Sequence, residues 1–564
     1  MTTRPLDAEP SDEPLNELRN ESLDESLDES PHDGLDDAST ARVIAIGASA
    51  GGLDALQRFF SGVDENTESS FVVIQHLSPD YKSMMPELLA RHTSLPIHVV
   101  ENDMRVEPRA IYLIPPKKNM TIVDGRLVLV DKPIGHDLNL PIDIFFRSLA
   151  DEAVDRAVAV VLSGTGSDGT RGVRAIKEAD GTVFVQDPDE AAFDGMPLSA
   201  LHTGLVDFVL PAEQMADELR LFLEHPQVLD PAGTPLPDDD EAWGRILSQV
   251  RSVTGIDFAS YRRPTLWRRM LRRISIHRLP SLHAYMEFLQ RDAEEAEILA
   301  RDFLIGVTKF FRDPAAWETL ESEVLVPLLR QKEQEGEPFK AWIAGCSTGE
   351  EAYTLAMLLR EVVERERLQV ECKIFATDIK QDYLEVGGKG VYPESLVGDV
   401  PSQRVSQHFV RSGDQYQVTN AIRRMVIFSK HDLTRDPPFS RMDLVICRNV
   451  LIYFDREQQQ RLIGLLRYAL NQGGALFLGS SESAGIHESE FDEIDRRTKL
   501  FRNRSVSKRY GEARSSLSET RFSPVAPRAA DTGTRSGLGD SLSTALAEEL
   551  GVVGVVVDDT FQIG

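Results

Sequence analysis

Cysteine is scarce in this chain. Three residues, Cys346, Cys372 and Cys447, serve 564 positions. That excludes a disulfide framework and fits a reducing cytoplasm. No apolar run approaches the roughly 18–20 residues that a membrane span needs, so no membrane insertion is expected. Positive charge is short as well: 62 Lys and Arg stand against 91 Asp and Glu, a formal net charge of −29. Such a balance argues against a general nucleic-acid binder. The N-terminus is acidic rather than basic and then apolar, so it does not read as a signal peptide. Residues 1–38 have no Phe, Trp or Tyr, and hold thirteen acids and two arginines. They cannot bury enough apolar area to offset chain entropy and are expected to be a disordered acidic tail.

What remains is too long for one domain. Residues 39–225 alternate apolar runs with helical patterns. Residues 226–240, rich in Pro and Asp, read as a solvated linker. Residues 241–320 read as a helical lobe, with Trp243, Ile246, Leu247 and Val250 at helical spacing. Residues 321–505 alternate strands and helices, with strands expected at Lys340–Ala344, Lys373–Thr377, Val426–Ser429, Leu444–Cys447 and Ala475–Leu478. Residues 506–541 read as a second linker, and 542–564 as the start of a further domain.

The stretch Phe339–Leu359, FKAWIAGCSTGEEAYTLAMLL, organises the second half. A short apolar run stops at Gly345, a glycine-bearing loop follows, and a helical pattern begins after Glu350-Glu351. Strand, glycine turn and helix open a nucleotide-binding βαβ unit. Two carboxylates at that helix start would repel a pyrophosphate. They suit a ligand that is cationic or rich in hydroxyl and amine donors. Asp378 closes a second strand, and an acid there suits a ribose diol. S-adenosylmethionine is a cationic nucleoside with a ribose. A nicotinamide-dependent oxidoreductase is disfavoured by the acid pair and by the lack of a full G-x-G-x-x-G.

In the first half, the strand Arg42–Ile46 runs into Gly47-Ala48-Ser49-Ala50-Gly51-Gly52 and a helix from Leu53 to Phe60. Phe71–Gln75 is a strand ending in His76, and Ala157–Leu162 one that leads to Ser163-Gly164-Thr165-Gly166-Ser167-Asp168. Ser49, His76 and Asp168 all follow C-terminal strand ends, where open α/β folds place their sites. Ser, His and Asp are what acyl transfer needs: a nucleophile, a base and a group to orient the base. Taken singly, each has a plainer reading. Ser49 is then a turn residue, His76 a strand end, and Asp168 an N-cap for the helix toward Ile176.

Together, IGASAGG, IQHLSPD and LSGTGSDGTRG resemble the catalytic domain of chemotaxis methylesterases (the CheB family). The resemblance implies Ser49 as nucleophile, His76 as general base and acid, and Asp168 as the group orienting His76. Thr165 stands where the family usually has Met, in a role carried by the backbone N–H. Family members also carry an N-terminal receiver domain. The acidic tail is too short for one, so control by that route is not expected.

In the second half, AGCSTGEEAY with IGVTKFFRD before it and ICRNVLIYF after it resembles the chemotaxis receptor methyltransferases (the CheR family). The resemblance implies glutamate methylation with S-adenosylmethionine as cofactor. It places Thr308, Arg312, Glu351, Asp378, Asp432, Leu433, Arg448 and Asn449 at the cofactor, with Phe310 and Phe311 in the same segment; Glu350 is the alternative to Glu351. The family commonly has Asn where this chain has Gly306. Arg312 and Tyr453 are candidates for holding the acceptor carboxylate, and Cys447 reads as core.

Arg262, Arg263, Arg268, Arg269, Arg272, Arg273, His277 and Arg278 form a basic cluster in an acidic chain. It is expected to be a helix face toward acidic receptor helices. Phe409–Val426 is expected to be a small antiparallel insert. Gly551–Gly564 weakly resembles the opening of a PAS sensor domain, too short to fold alone.

The expected fold is therefore α/β multidomain: a parallel-sheet methylesterase domain, a small all-α lobe and a doubly wound S-adenosylmethionine-dependent methyltransferase domain. The expected function is glutamate methylation and methyl-ester hydrolysis in one cytoplasmic chain, with glutamine deamidation as a further activity. The expected partner is a chemoreceptor or other signalling protein bearing methyl-accepting glutamates, with a histidine kinase or response regulator beside it. No metal is expected. The rival reading is a non-catalytic signalling scaffold.

Overall fold

The structure is a computed structural model describing residues 42–76, 84–132, 139–153, 156–225, 239–413 and 415–504. The acidic tail, most of the first linker and the PAS-like stretch lie outside the described residues. The described residues belong to one compact unit ending at Ser507.

The central strands of the first sheet are apolar runs buried on both faces, the pattern of a parallel sheet. Its strands are β1 (Val43–Ala48), β2 (Ser70–Gln75), β3 (Ile97–Val99), β4 (Ile111–Leu113), β5 (Val158–Val161), β6 (Thr182–Gln186) and β7 (Phe208–Leu210). They lie in the order β7-β6-β5-β1-β2-β4-β3, every pairing parallel. The chain leaves β1 toward β2 on one side and returns to β5 on the other. The crevice above β1 is thus a topological switch point. Helices α1 (Gly52–Ser61), α2 (Pro141–Ala153) and α3 (Thr170–Glu178) frame it.

The all-α lobe comprises α4 (Asp240–Thr254), α5 (Arg263–Ile276), α6 (Leu282–Arg291) and α7 (Ala293–Phe303). Asp239, Ser281 and Asp292 cap three of these helices through their side chains. Trp243, Ile246, Val250, Trp267, Met270 and Ile274 fill the lobe's core.

The second sheet carries β8 (Phe339–Ala344), β9 (Cys372–Asp378), β10 (Val426–Lys430), β11 (Met442–Cys447), β12 (Leu470–Leu478), β13 (Phe491–Asp495) and β14 (Leu500–Asn503). The order is β10-β9-β8-β11-β12-β14-β13, parallel except at the β14 and β13 edge. Here the order reverses between β8 and β11, and α8 (Glu350–Glu366) rises from the β8 turn. The expected insert is present as Phe409–Ser412 paired with Gln415–Val418, with Val391–Pro393 as its third strand.

The arginine cluster is not one exposed face: Arg262, Arg268 and Arg278 are exposed, but three others turn inward. Arg269, Arg272 and Arg273 are 3 %, 7 % and 7 % exposed. Arg269 pairs with Asp180 at 3.2 Å, Arg272 with Asp302 at 3.0 Å and Asp207 at 3.5 Å, and Arg273 with Glu295 at 2.5 Å. Asp180 and Asp207 belong to the first module. The acidic partners draw these guanidinium groups inward, because buried charges persist only when paired. Arg269 and Arg272 thus tie the lobe to the first module. Ile305 and Val307 join the first module's apolar cluster, so the junction has an apolar core as well.

Candidate active sites

Ser49 leaves the end of β1 on a turn that only small residues can make. Gly51 has φ 72°, and a Cβ there would lie 2.7 Å from Ser163 Oγ. At Gly164 a Cβ would lie 2.8 Å from Ser49 Cβ and 2.2 Å from Met196 Sδ. Ser163 ties the turn down: its carbonyl accepts the Ser49 N–H at 3.0 Å and its hydroxyl donates to Ala50 O at 2.9 Å.

His76, at the end of β2, sits between the other two candidates. Its Nδ1 is 3.3 Å from Ser49 Oγ and its Nε2 is 2.7 Å from Asp168 Oδ2. With Nε2–H donating to the carboxylate, Nδ1 is left to accept from the hydroxyl. Asp168 is buried and accepts the N–H groups of Ile142 at 3.1 Å, Asp143 at 2.9 Å and Gly169 at 2.9 Å. The plain N-cap reading therefore fails for its own helix, because the residue before α3 is Gly169 with no side-chain cap. Asp168 instead sits at the N-terminus of α2, where the free amide N–H groups of the first turn hold its carboxyl group in place. Neighbouring Asp143 is pushed up to about 8, first by burial and then by the charge of Asp168.

The second site lies above the β8 and β11 switch point, in a cavity of about 330 Å³. Gly345, Ser347 and Glu351 reach it from the β8 turn, Asp378 from β9, Asp432 and Leu433 after β10, and Arg448, Asn449 and Tyr453 after β11. Thr308 and Arg312 line it from the segment preceding β8. Asp378 accepts the Ser347 N–H at 2.9 Å and the Lys380 N–H at 3.0 Å. Burial pushes its carboxyl up, against the pull of those donors. Glu351 is held by Arg448 at 3.0 Å, and burial pushes it up as well. Asp432 accepts from the Thr434 N–H and hydroxyl at 2.8 and 2.7 Å.

The alternative between the two glutamates is resolved by position. Glu350 is fully buried outside the cavity, paired with Arg174 of the first module at 3.0 Å. Phe310 and Phe311 do not line the cavity; both are buried in the core, where their rings gain more from apolar packing than from a polar site. Cys447 is buried in the core, with its thiol pushed well up by burial.

The cavity's chemistry suits S-adenosylmethionine. Three of its five carboxylates, Glu351, Asp378 and Asp432, come from the second sheet's turns and suit a cationic ligand with a diol. Gly345, at φ 77°, approaches so closely that a Cβ would lie 2.4 Å from Val450. Glu482 is a part of this site that the sequence reading misses. It is buried and accepts the N–H groups of Asn449, Val450, Leu451 and Gly479 at 2.6–3.0 Å, holding the Asn449 loop. An acid four residues past the end of a buried strand is the signal that could have found it.

Three family models match the chain: CheB methylesterase over residues 44–219, the all-alpha domain of CheR methyltransferase over 241–304, and its SAM-binding domain over 306–500. A chemotaxis protein methyltransferase of Listeria monocytogenes is 32% identical over 247 residues, 44% of this chain and 92% of that one. The chain belongs to the chemotaxis methyltransferase family. It carries a CheB methylesterase domain and a CheR methyltransferase in one polypeptide, and the cofactor of the methyltransferase is S-adenosylmethionine. An uncharacterized 104.1 kDa protein of Rhodobacter capsulatus is 41% identical over 440 residues, 74% of this chain and 46% of that one. The chain thus spans about half the length of that relative. The CheB methylesterase catalytic domain of Thermotoga maritima matches at 27% identity, covering 32% of this chain and 97% of that one with a TM-score of 0.30.

Proposed function

We propose that this chain both methylates glutamate side chains of a signalling protein and hydrolyses the resulting methyl esters. The observation that carries the reading is the pair of sites in one compact unit: a Ser49–His76–Asp168 relay above one sheet and an acid-bordered cofactor cavity above the other.

In ester hydrolysis, the Ser49 hydroxyl attacks the ester carbonyl while His76 Nδ1 takes its proton. Asp168 keeps the proton on Nε2 and stabilises the imidazolium. The Thr165 N–H is the candidate donor to the oxyanion. His76 returns the proton to the departing methoxide, releasing methanol, and water then cleaves the acyl-enzyme by the same relay. Glutamine deamidation follows the same course with ammonia leaving.

When bound, S-adenosylmethionine supplies a methyl group activated by its sulfonium. Asp378 would hold the ribose, and Glu351 and Asp432 would favour the cation. Arg312 and Tyr453 would hold the acceptor carboxylate. No strong base is required, since a glutamate is already ionised at neutral pH; the residues' task is alignment.

Chemoreceptors or related signalling proteins are the substrates in this reading. A histidine kinase or response regulator as partner, a cytoplasmic location, supported by three free thiols, and a PAS-like sensor from residue 542 complete it. Mass spectrometry of purified receptors incubated with this chain and S-adenosylmethionine tests it. The mass gain of one methyl group replacing a proton on glutamate, reversed when the cofactor is removed, is expected; no mass change on any receptor would favour the scaffold reading.

A further inference from the structure

The cofactor cavity is not built by the methyltransferase alone. Two of its lining carboxylates, Glu178 and Asp180, come from the methylesterase module, at the end of α3 and the turn beyond it. Glu178 accepts from Arg312 Nη2 at 2.5 Å. Asp180 accepts from Arg269 Nε at 3.2 Å and pairs with Arg268 at 3.5 Å. Arg269 in turn lies over the Tyr453 ring, 5.5 Å from its centroid. Three arginines on the cavity wall are therefore all answered by two carboxylates of another module.

The acidic tip is presented rigidly. The Gly181 N–H closes the turn onto Ile176 O at 2.8 Å, and a Cβ at Gly181 would lie 2.6 Å from Ala157 O. Behind the tip, Arg171 and Arg174 lie on the same face of α3 as Glu178, at the helical spacing of three and four. They pair with Asp399 at 3.2 Å and Glu350 at 3.0 Å. The helix is thereby clamped on the methyltransferase with its last glutamate turned into the cavity. A glutamate carboxylate on an arginine beside Tyr453 has the chemistry of the methyl acceptor itself.

We propose that Arg312, with Arg268 and Arg269, forms the carboxylate-binding subsite for the acceptor polypeptide, and that Glu178 of the methylesterase module is its resident competitor. An acidic acceptor helix then has to displace Glu178 to reach the methyltransferase, so the subsite selects acceptors carrying more than one carboxylate. This rests on the methyltransferase reading above.

The test uses the full chain and a fluorescein-labelled helical peptide of repeated Glu-Glu-Ala-Ala, titrated by anisotropy with S-adenosylhomocysteine present. Glu178→Gln removes the charge and keeps the size. It is expected to bind the peptide about tenfold more tightly than the wild type, a change of about 1.4 kcal/mol. The KM of methyl transfer to the peptide should fall with it. Arg312→Gln placed in the Glu178→Gln chain should abolish the gain. Calorimetric titration of S-adenosylhomocysteine sets the saturating concentration used for each chain. Equal peptide affinity in wild type and Glu178→Gln, both saturated with S-adenosylhomocysteine, would overturn the competitor while leaving the methyltransferase reading in place. Failure of both chains to bind S-adenosylhomocysteine would overturn the cofactor reading, and this proposal with it.

Discussion

Arg174 of α3 donates to Glu350 of α8 at 3.0 Å, across the junction between the two modules. The same guanidinium donates to the Thr308 carbonyl at 3.3 Å. One methylesterase side chain thus braces both the helix that rises beside the cofactor cavity and a segment that lines it. Arg174→Ala should leave the Glu350 charge buried with only the Thr348 hydroxyl to answer it. A loss of about 3 kcal/mol is expected, the usual cost of orphaning a buried charge. Adding Glu350→Gln should recover most of it. Thermal unfolding of the two single variants and the double variant measures this coupling, and strictly additive effects would count against it.

Ser49→Ala should lower ester hydrolysis by about 10⁴-fold or more, since loss of a nucleophile in such a relay has effects of that order. Methyl transfer should be unchanged, because the serine lies outside the cofactor cavity. Parallel assays of methanol release and methyl incorporation check it, and a shared loss would contradict separate sites.

Asp378→Ala should weaken S-adenosylmethionine by about ten- to a hundredfold, the value of a charge-assisted bond of roughly 1.5–3 kcal/mol. It also strips the Ser347 and Lys380 N–H groups of their acceptor. Calorimetry with S-adenosylhomocysteine reads the effect, and an unchanged affinity would place the ligand elsewhere.

Glu361 titrates far below its ordinary range. His408 donates to it at 3.1 Å and Arg404 doubly at 2.8–3.1 Å, and these donors outweigh the effect of burial to bring it down to about 2. A depressed carboxylate contributes stability above its unfolded value of 4.5, lost as pH falls through about 2. Glu361→Gln should therefore be less stable than wild type at neutral pH, by about 1–2 kcal/mol given partial solvation. The two melting curves should converge near pH 2. A constant difference across that window would show that Glu361 does not titrate as described.

The local grammar of this chain is readable because it rests on short-range physics. A buried apolar run ending in a glycine turn announces a strand, so β1 and β8 are legible, and β9 is legible as an apolar run closing on an acid; Ser49 and Asp378 are legible at their ends. Asp168 is legible as an acid beyond a strand end that could orient a base, but the helix whose amides it accepts is not. Its actual helix, α2, begins at Pro141, and no local pattern links the two. Glu482 escapes notice for the same reason: its four donors come from two separate loops.

The arginines of α5 and the charged face of α3 mark the boundary between the two kinds of information. Sequence by itself determined that both stretches are helical and charged, and that two enzyme modules share one chain. A solvated helix face and an interface face have the same local pattern, since both place charges three and four residues apart. Only the tertiary structure decided between them, because the partner charges lie far along the chain: Glu350 is 176 positions from Arg174, and Asp180 is 89 from Arg269. Folding brings those opposite charges together where water is excluded, and pairing is then the only state in which either can stay buried.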